Sequence, residues 1–141
     1  MLQKTMKVAL AGALGLFALV LAAGTNGTAA DDKAPTCSAI MRKCFKDKDC
    51  FQAAIPAAAK GAKWDDAGKL AKEWVSLSEQ LVKTKPKKNA DKTKMWEEQC
   101  ATFVTNAKAV QKACDDKDAK AVGTAVGNKA FGCAGCHSTF K

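Results

Sequence analysis

The chain has 141 residues, with 23 Lys and Arg against 14 Asp and Glu, a formal net charge of +9, seven Cys and one His. That length suits one domain and leaves no room for two full catalytic domains, and with His137 the only histidine, any His-rich metal site or Ser-His-Asp triad would depend on it alone. Apolar residues make up 48% and aromatic residues 6%, enough for a core built more from Ala, Leu, Val and Cys than from rings, and too apolar for a disordered tail.

Residues 1–30 read as a secretory signal peptide. Lys4 and Lys7 precede an uncharged apolar run from Val8 to Ala23, and the small residues from Gly24 to Ala30 lead into Asp31 and Asp32. The run is shorter than the roughly 20 apolar residues of a spanning helix, and a small-x-small cleavage site ends at Ala30. No Cys lies near it, which argues against a lipid anchor. Cleavage near Ala30 removes two Lys and no acid, so the domain of residues 31–141 carries +7 and all seven Cys. The expected destination is an oxidising compartment, most simply a bacterial periplasm, where disulfides are permitted.

From Thr36 onward apolar residues recur at spacings of three and four, the period of helices. Thr36 to Phe45 reads as helix, Lys46-Asp47-Lys48-Asp49 interrupts it, and Pro56 would kink its continuation to Lys60. A second helix, about 65–83, carries Leu70, Trp74, Leu77 and Leu81, with Asp65 and Asp66 as N-cap candidates. A third, about 91–114, bears an unbroken stripe of Trp96, Cys100, Phe103, Ala107, Val110 and Cys114. The fourth begins near Asp118 and carries Val122, Val126, Ala130, Cys133 and His137 to the end of the chain. Short connections at 85–89 and 115–118 make neighbours antiparallel. The expected architecture is therefore all-α, an up-and-down antiparallel four-helix bundle. That topology gathers Met41, Leu81, Met95, Trp96 and His137 at one end.

The last segment contains Cys133-Ala134-Gly135-Cys136-His137, a C-x-x-C-H sequence, which is the attachment motif of c-type haem. Two thiols three residues apart reach the two vinyl groups on one porphyrin edge through thioether bonds, and the adjacent imidazole reaches the iron. One covalent haem c follows, with Cys133 and Cys136 as anchors and His137 as proximal ligand. A thioredoxin-like reading needs a βαβ setting that the periodicity lacks. A zinc reading asks two Cys and the very next residue to serve one tetrahedral ion, which is poor geometry. A plain disulfide leaves the histidine without a role.

With its C-terminal Cys133-Ala134-Gly135-Cys136-His137-Ser138-Thr139-Phe140-Lys141, the chain resembles the cytochrome c prime family, four-helix proteins with haem attached near the end of the last helix. Ordinary small cytochromes c carry the motif near their N-terminus. The likeness at the level of motif covers these nine residues, and at the level of fold most of the mature chain. It implies that Phe140 packs beside the haem and that Lys141 lies near its proximal face. Five further Cys and an interrupted first helix depart from the family pattern.

No second His exists, so the sixth iron position belongs to a Met, a Lys, a small molecule or nothing. The resemblance implies either a Met early in helix one or an empty site behind an apolar side chain. Met41 lies early in helix one, Met95 is the runner-up in helix three, and both can equally be core fillers. A Met–His iron suits electron transfer through Fe(II)/Fe(III) cycling, whereas an open site suits binding of NO or CO. The first is the leading reading, the gas-binding five-coordinate protein is the alternative, and a haem-free, disulfide-stapled interaction protein is a third. The chain is not expected to be an enzyme, since Arg42 is its only Arg and no distal His can act as acid or base.

Cys37, Cys44, Cys50, Cys100 and Cys114 are an odd number, so one is unpaired or joins a second copy in a homodimer. Cys100 and Cys114 stand about 21 Å apart along one helix and cannot pair. Cys44–Cys100 with Cys50–Cys114 is one reasonable scheme and Cys44–Cys50 another, while several of the five can also be simply small buried apolar residues. Finally, Lys83, Lys85, Lys87, Lys88, Lys92 and Lys94 surround the second connection with only Asp91 for balance. Such a rim would steer acidic redox partners, or is an ordinary solvated loop. Export and the lack of a recognition motif argue against nucleic acid.

Overall fold

The structure of the protein, a computed structural model, describes residues 35–127 and 131–141. The expected signal peptide and Ala130 lie outside the described residues. Six helices follow in order: α1 Cys37–Phe45, α2 Phe51–Lys60, α3 Trp64–Val82, α4 Thr93–Asp115, α5 Ala119–Ala125 and α6 Cys133–Phe140. Among the described residues there is no strand, and no helix is long and apolar enough to cross a membrane. The class is all-α.

Local chemistry explains most of the boundaries. Thr36 caps α1 by accepting the Ala39 N–H at 3.3 Å, and Asp118 caps α5 by accepting the Ala121 N–H at 2.9 Å, each satisfying a donor the helix cannot. The break predicted after Phe45 is real, and the Asp47 carboxylate there accepts from Arg42 Nε at 3.2 Å. Pro56 lies inside α2, which continues to Lys60. Asp65 and Asp66 occupy the first turn of α3 and not its cap, where their charge favours the positive end of the helix dipole. Both α2 and α4 close with left-handed residues, Ala62 at φ 55° and Lys117 at φ 56°. The next N–H in each case reaches back to Ala58 and Ala113, at 2.9 and 3.0 Å, the bonding of a Schellman turn.

The longest interface joins α3 to α4. The two run antiparallel: the Trp96 indole donates to the Thr84 carbonyl at 2.9 Å, the Cys100 thiol approaches the Leu81 carbonyl at 3.9 Å, and Lys108 pairs with Glu79 at 3.2 Å. The face α3 buries is Ala67, Ala71, Trp74, Ser78 and Leu81, with Leu70 and Leu77 only half-buried. This shifts the predicted stripe by one position, because small side chains let neighbouring backbones approach. Ser78 tolerates burial by donating to the Trp74 carbonyl at 2.7 Å. The α4 stripe is buried as read, from Trp96 to Cys114.

Five rings form the centre. Trp74 stacks on Phe131 at 4.7 Å with planes 5° apart, and on Phe51 at 5.6 Å. Phe45 and Phe103 meet Phe131 edge-on at 5.6 and 5.0 Å. Helix α2 bridges α3 and α5, and α1 lies against α2 and α3. The predicted continuous last helix is instead two, α5 and α6, with Phe131 between them turned into the core. The indole nitrogen of Trp74 is buried without a hydrogen-bond partner.

All seven cysteines are free thiols, Cys44, Cys50, Cys100 and Cys114 buried and Cys37, Cys133 and Cys136 half-buried. None of the three pairings considered from sequence is formed. Cys44 and Cys100 act as small apolar residues of the core, 0% and 2% exposed.

Candidate functional site

Phe131 places the motif. Its stacked ring pins the residue immediately before Gly132, whose φ of 62° turns the chain into α6. A side chain at Gly132 would be strained by that left-handed backbone and would meet the Gln99 amide oxygen at 3.4 Å. A Cβ at Gly135 would likewise meet the Gln99 side chain of α4, at 3.8 Å, so both glycines of the motif's turn lie against one side chain from a neighbouring helix. At the other end of α6, Phe140 is buried edge-on to Trp96 at 5.2 Å. One aromatic on each side thus anchors an otherwise weakly apolar eight-residue helix.

Between these anchors the motif faces a groove of about 660 Å³, within the roughly 300–1,000 Å³ of ligand sites in general. One wall is α6, with Cys133, Ala134, Gly135 and His137; the other is the end of α1 and the start of α2, with Met41, Phe45, Lys46 and Gln52. Met41 and Phe45 are one helical turn apart and so share that face. Helix α6 has no extensive backbone interface with any other helix. Behind the groove a cavity of about 20 Å³, the size of one water, reaches Trp96, Phe103 and Phe131 and touches Met41, Cys136 and His137.

The structure therefore brings Met41, Cys133, Cys136 and His137 to one site. Leu81 and Trp96 line its inner cavity as the topology required. Met95 does not join them: its side chain is 43% exposed, because position 95 lies about 100° around α4 from the buried stripe that Trp96 and Cys100 belong to. Phe140 and Lys141 line neither space; Phe140 packs on Trp96, and Lys141 is exposed. Two contributors, Phe131 and Gln99, are not found by motif reading. Phe131 does carry a signal, a lone ring in the small and polar stretch Gly127-Asn128-Lys129-Ala130-Phe131-Gly132, whereas Gln99 has none.

Burial raises the pKa of both motif thiols. For Cys136 the nearby Cys37 and Cys133 thiols add to this, and for Cys133 a backbone hydrogen bond partly opposes it. Both are held as neutral thiols at neutral pH, the form that adds S–H across a vinyl double bond with no leaving group. Among the described residues no three His, Cys, Asp or Glu side chains assemble as a metal site, while a haem iron takes its protein ligands only along one axis. The donor set fits that group: two thiols three residues apart, one imidazole, one thioether across the gap, a ring at the wall and no side chain at Gly132 or Gly135.

No family model, curated protein or solved structure matches the chain.

Proposed function

We propose that the protein is a periplasmic monohaem c-type cytochrome of the cytochrome c prime kind, moving electrons to and from other redox proteins. The observation that carries the reading is the groove in which Met41 of α1 faces the C-x-x-C-H motif of α6. A bound haem c would supply an iron that cycles between Fe(II) and Fe(III). Cys133 and Cys136 would hold it by thioether bonds, and His137 of α6 and Met41 of α1 would be its protein ligands. An imidazole and a thioether both committed to the iron would leave no place for a small ligand, which suits electron transfer over gas binding. Phe45 closes the apolar side and Lys46 offers a cation at the rim. In this reading α1 with α2, then α3, then α4, then α5 with α6 are the four arms of an up-and-down bundle, the first and last each broken once.

Haem staining of the denatured, exported protein tests the cofactor, because thioether-bound haem survives denaturation; an unstained band leaves only a haem-free helical protein. The ferric absorption spectrum tests the ligand. A Met–iron charge-transfer band that disappears in Met41→Ala is expected. High-spin features in the parent, with ready CO binding, would replace electron transfer by the gas-binding reading.

A further inference from the structure

His137 sits where a short helix is weakest. Helix α6 has eight residues, and His137 belongs to its last turn. The last carbonyls of a helix have no partner within it, and a helix this short has little stability of its own. The end of α6 therefore opens toward water unless another element holds it, and opening that turn moves the imidazole with it. Phe131, stacked on Trp74, and the left-handed Gly132 fix the other end of α6 and do not reach this one.

The connection between α3 and α4 supplies the hold. The Asn89 side-chain amide donates to the Thr139 carbonyl, across 50 positions of sequence. The Trp96 ring meets Phe140 edge-on at 5.2 Å, while its indole N–H donates to the Thr84 carbonyl at 2.9 Å. The connection is itself braced on both sides of Asn89. The Thr84 hydroxyl donates to the Leu81 carbonyl at 2.8 Å, the Lys92 N–H to the Asn89 carbonyl at 2.9 Å, and the Thr93 hydroxyl to the Ala90 carbonyl at 3.2 Å. Asn89 meets two demands at once. Its backbone is left-handed at φ 53°, a conformation Asn adopts more readily than most residues with a side chain, and its side chain carries the N–H donor. Glycine would meet only the first demand, and an ionised aspartate would turn an acceptor toward the Thr139 carbonyl.

We propose that Asn89 is a positioning residue for His137, holding the last turn of α6 closed so that the imidazole keeps its place at the groove. Phe140 secures this turn from its buried side and Asn89 from its exposed side. A functional side chain keeps a fixed place only where surrounding groups hold the element that carries it. That the imidazole serves an iron rests on the haem reading; the hold on α6 does not.

The test is amide hydrogen exchange on the full chain, followed by NMR, with Asn89→Gly and Asn89→Asp beside the parent. Amides in the last turn of α6 should exchange about fivefold faster in Asn89→Gly, the loss of one neutral hydrogen bond, and faster still in Asn89→Asp. Those in the middle of α3 and α4 should keep the parent rates. Lys88→Gly, which gives the connection similar extra freedom without touching the tie, should leave α6 unchanged. In the haem-bearing chain an imidazole held less firmly donates less charge to the iron, which favours Fe(II). At a fixed ambient potential the ferrous-to-ferric ratio should therefore rise about twofold in Asn89→Gly, a change that a tie with no bearing on His137 would not produce. The proposal fails if Asn89→Gly exchanges like the parent, which would make Asn89 a turn residue only. It fails equally if protection falls as much in α3 and α4 as in α6, or if exchange quickens while the ferrous-to-ferric ratio stays. Haem staining of the same samples separates the two readings: an unstained parent sinks the haem reading, and the exchange rates still decide whether Asn89 holds α6.

Discussion

Cys44 and Cys100 bring the solvent's proton activity into the core. Burial pushes each thiol up to about 12 from an ordinary value of 9.0; the neighbouring Cys50 and Cys133 add to the rise at Cys44, and Cys136 and Cys37 add at Cys100. Both are thus protonated in the folded chain at pH values where the unfolded chain has lost those protons. A group raised on folding stabilises fully below its unfolded value and loses that contribution as pH climbs toward the folded one. The window is pH 9 to about 12, and inside it each thiol steepens the fall in stability by up to about 1.4 kcal/mol per pH unit. Urea unfolding across that range should show a steeper decline for the parent than for Cys44→Ala with Cys100→Ala. Parallel slopes would show that neither thiol stays protonated inside the fold. These thiols also show how far composition misleads: seven Cys behind a sequence that reads as a signal peptide invite a disulfide framework, yet spacing alone cannot distinguish a cysteine that meets a partner from one that fills an apolar gap.

Helices were readable where side chains set them and obscure where backbone did. The α4 stripe is complete in the sequence because large residues repeat without a gap. In α3 the same reasoning selects Leu70 and Leu77, although Ala67, Ala71 and Ser78 are what α3 buries; a stripe of small residues carries little hydrophobic signal while permitting the closest packing. The division of the last helix escaped because Val122, Val126, Ala130 and Cys133 keep helical spacing across it, and spacing cannot register a glycine that turns left-handed at 132. The end of α4 hides in the same way. Lys117 adopts φ 56° to complete the turn into α5, a conformation that costs a side-chain-bearing residue about 1 kcal/mol and glycine little. Lys117→Gly should therefore raise stability by up to about 0.5 kcal/mol, after the extra freedom glycine gives the unfolded chain is subtracted. Thermal unfolding checks it, and an unchanged or lower midpoint would mean that the Lys117 side chain contributes something the backbone account omits.

Across the molecule, packing is uneven in a way that bears on the proposed cofactor. Helices α3 and α4 share the longest interface and enclose Trp74, Phe103 and Cys100, whereas α6 is joined to the rest chiefly through Phe131 and Phe140 and faces α1 over the groove. A covalent group spanning that groove would supply the contacts the two helices do not make with each other, so its stabilisation should be local and not spread over the chain. Native-state hydrogen exchange on the parent protein and on Cys133→Ser with Cys136→Ser, which could form no thioether bonds, should resolve this. Amides of α1 and α6 are expected to lose protection in the double variant, while those in the middle of α3 and α4 keep theirs. A uniform loss would mean that the groove's contents hold the entire fold together, and no loss in either region would mean that Cys133 and Cys136 bind nothing that bridges α6 to α1.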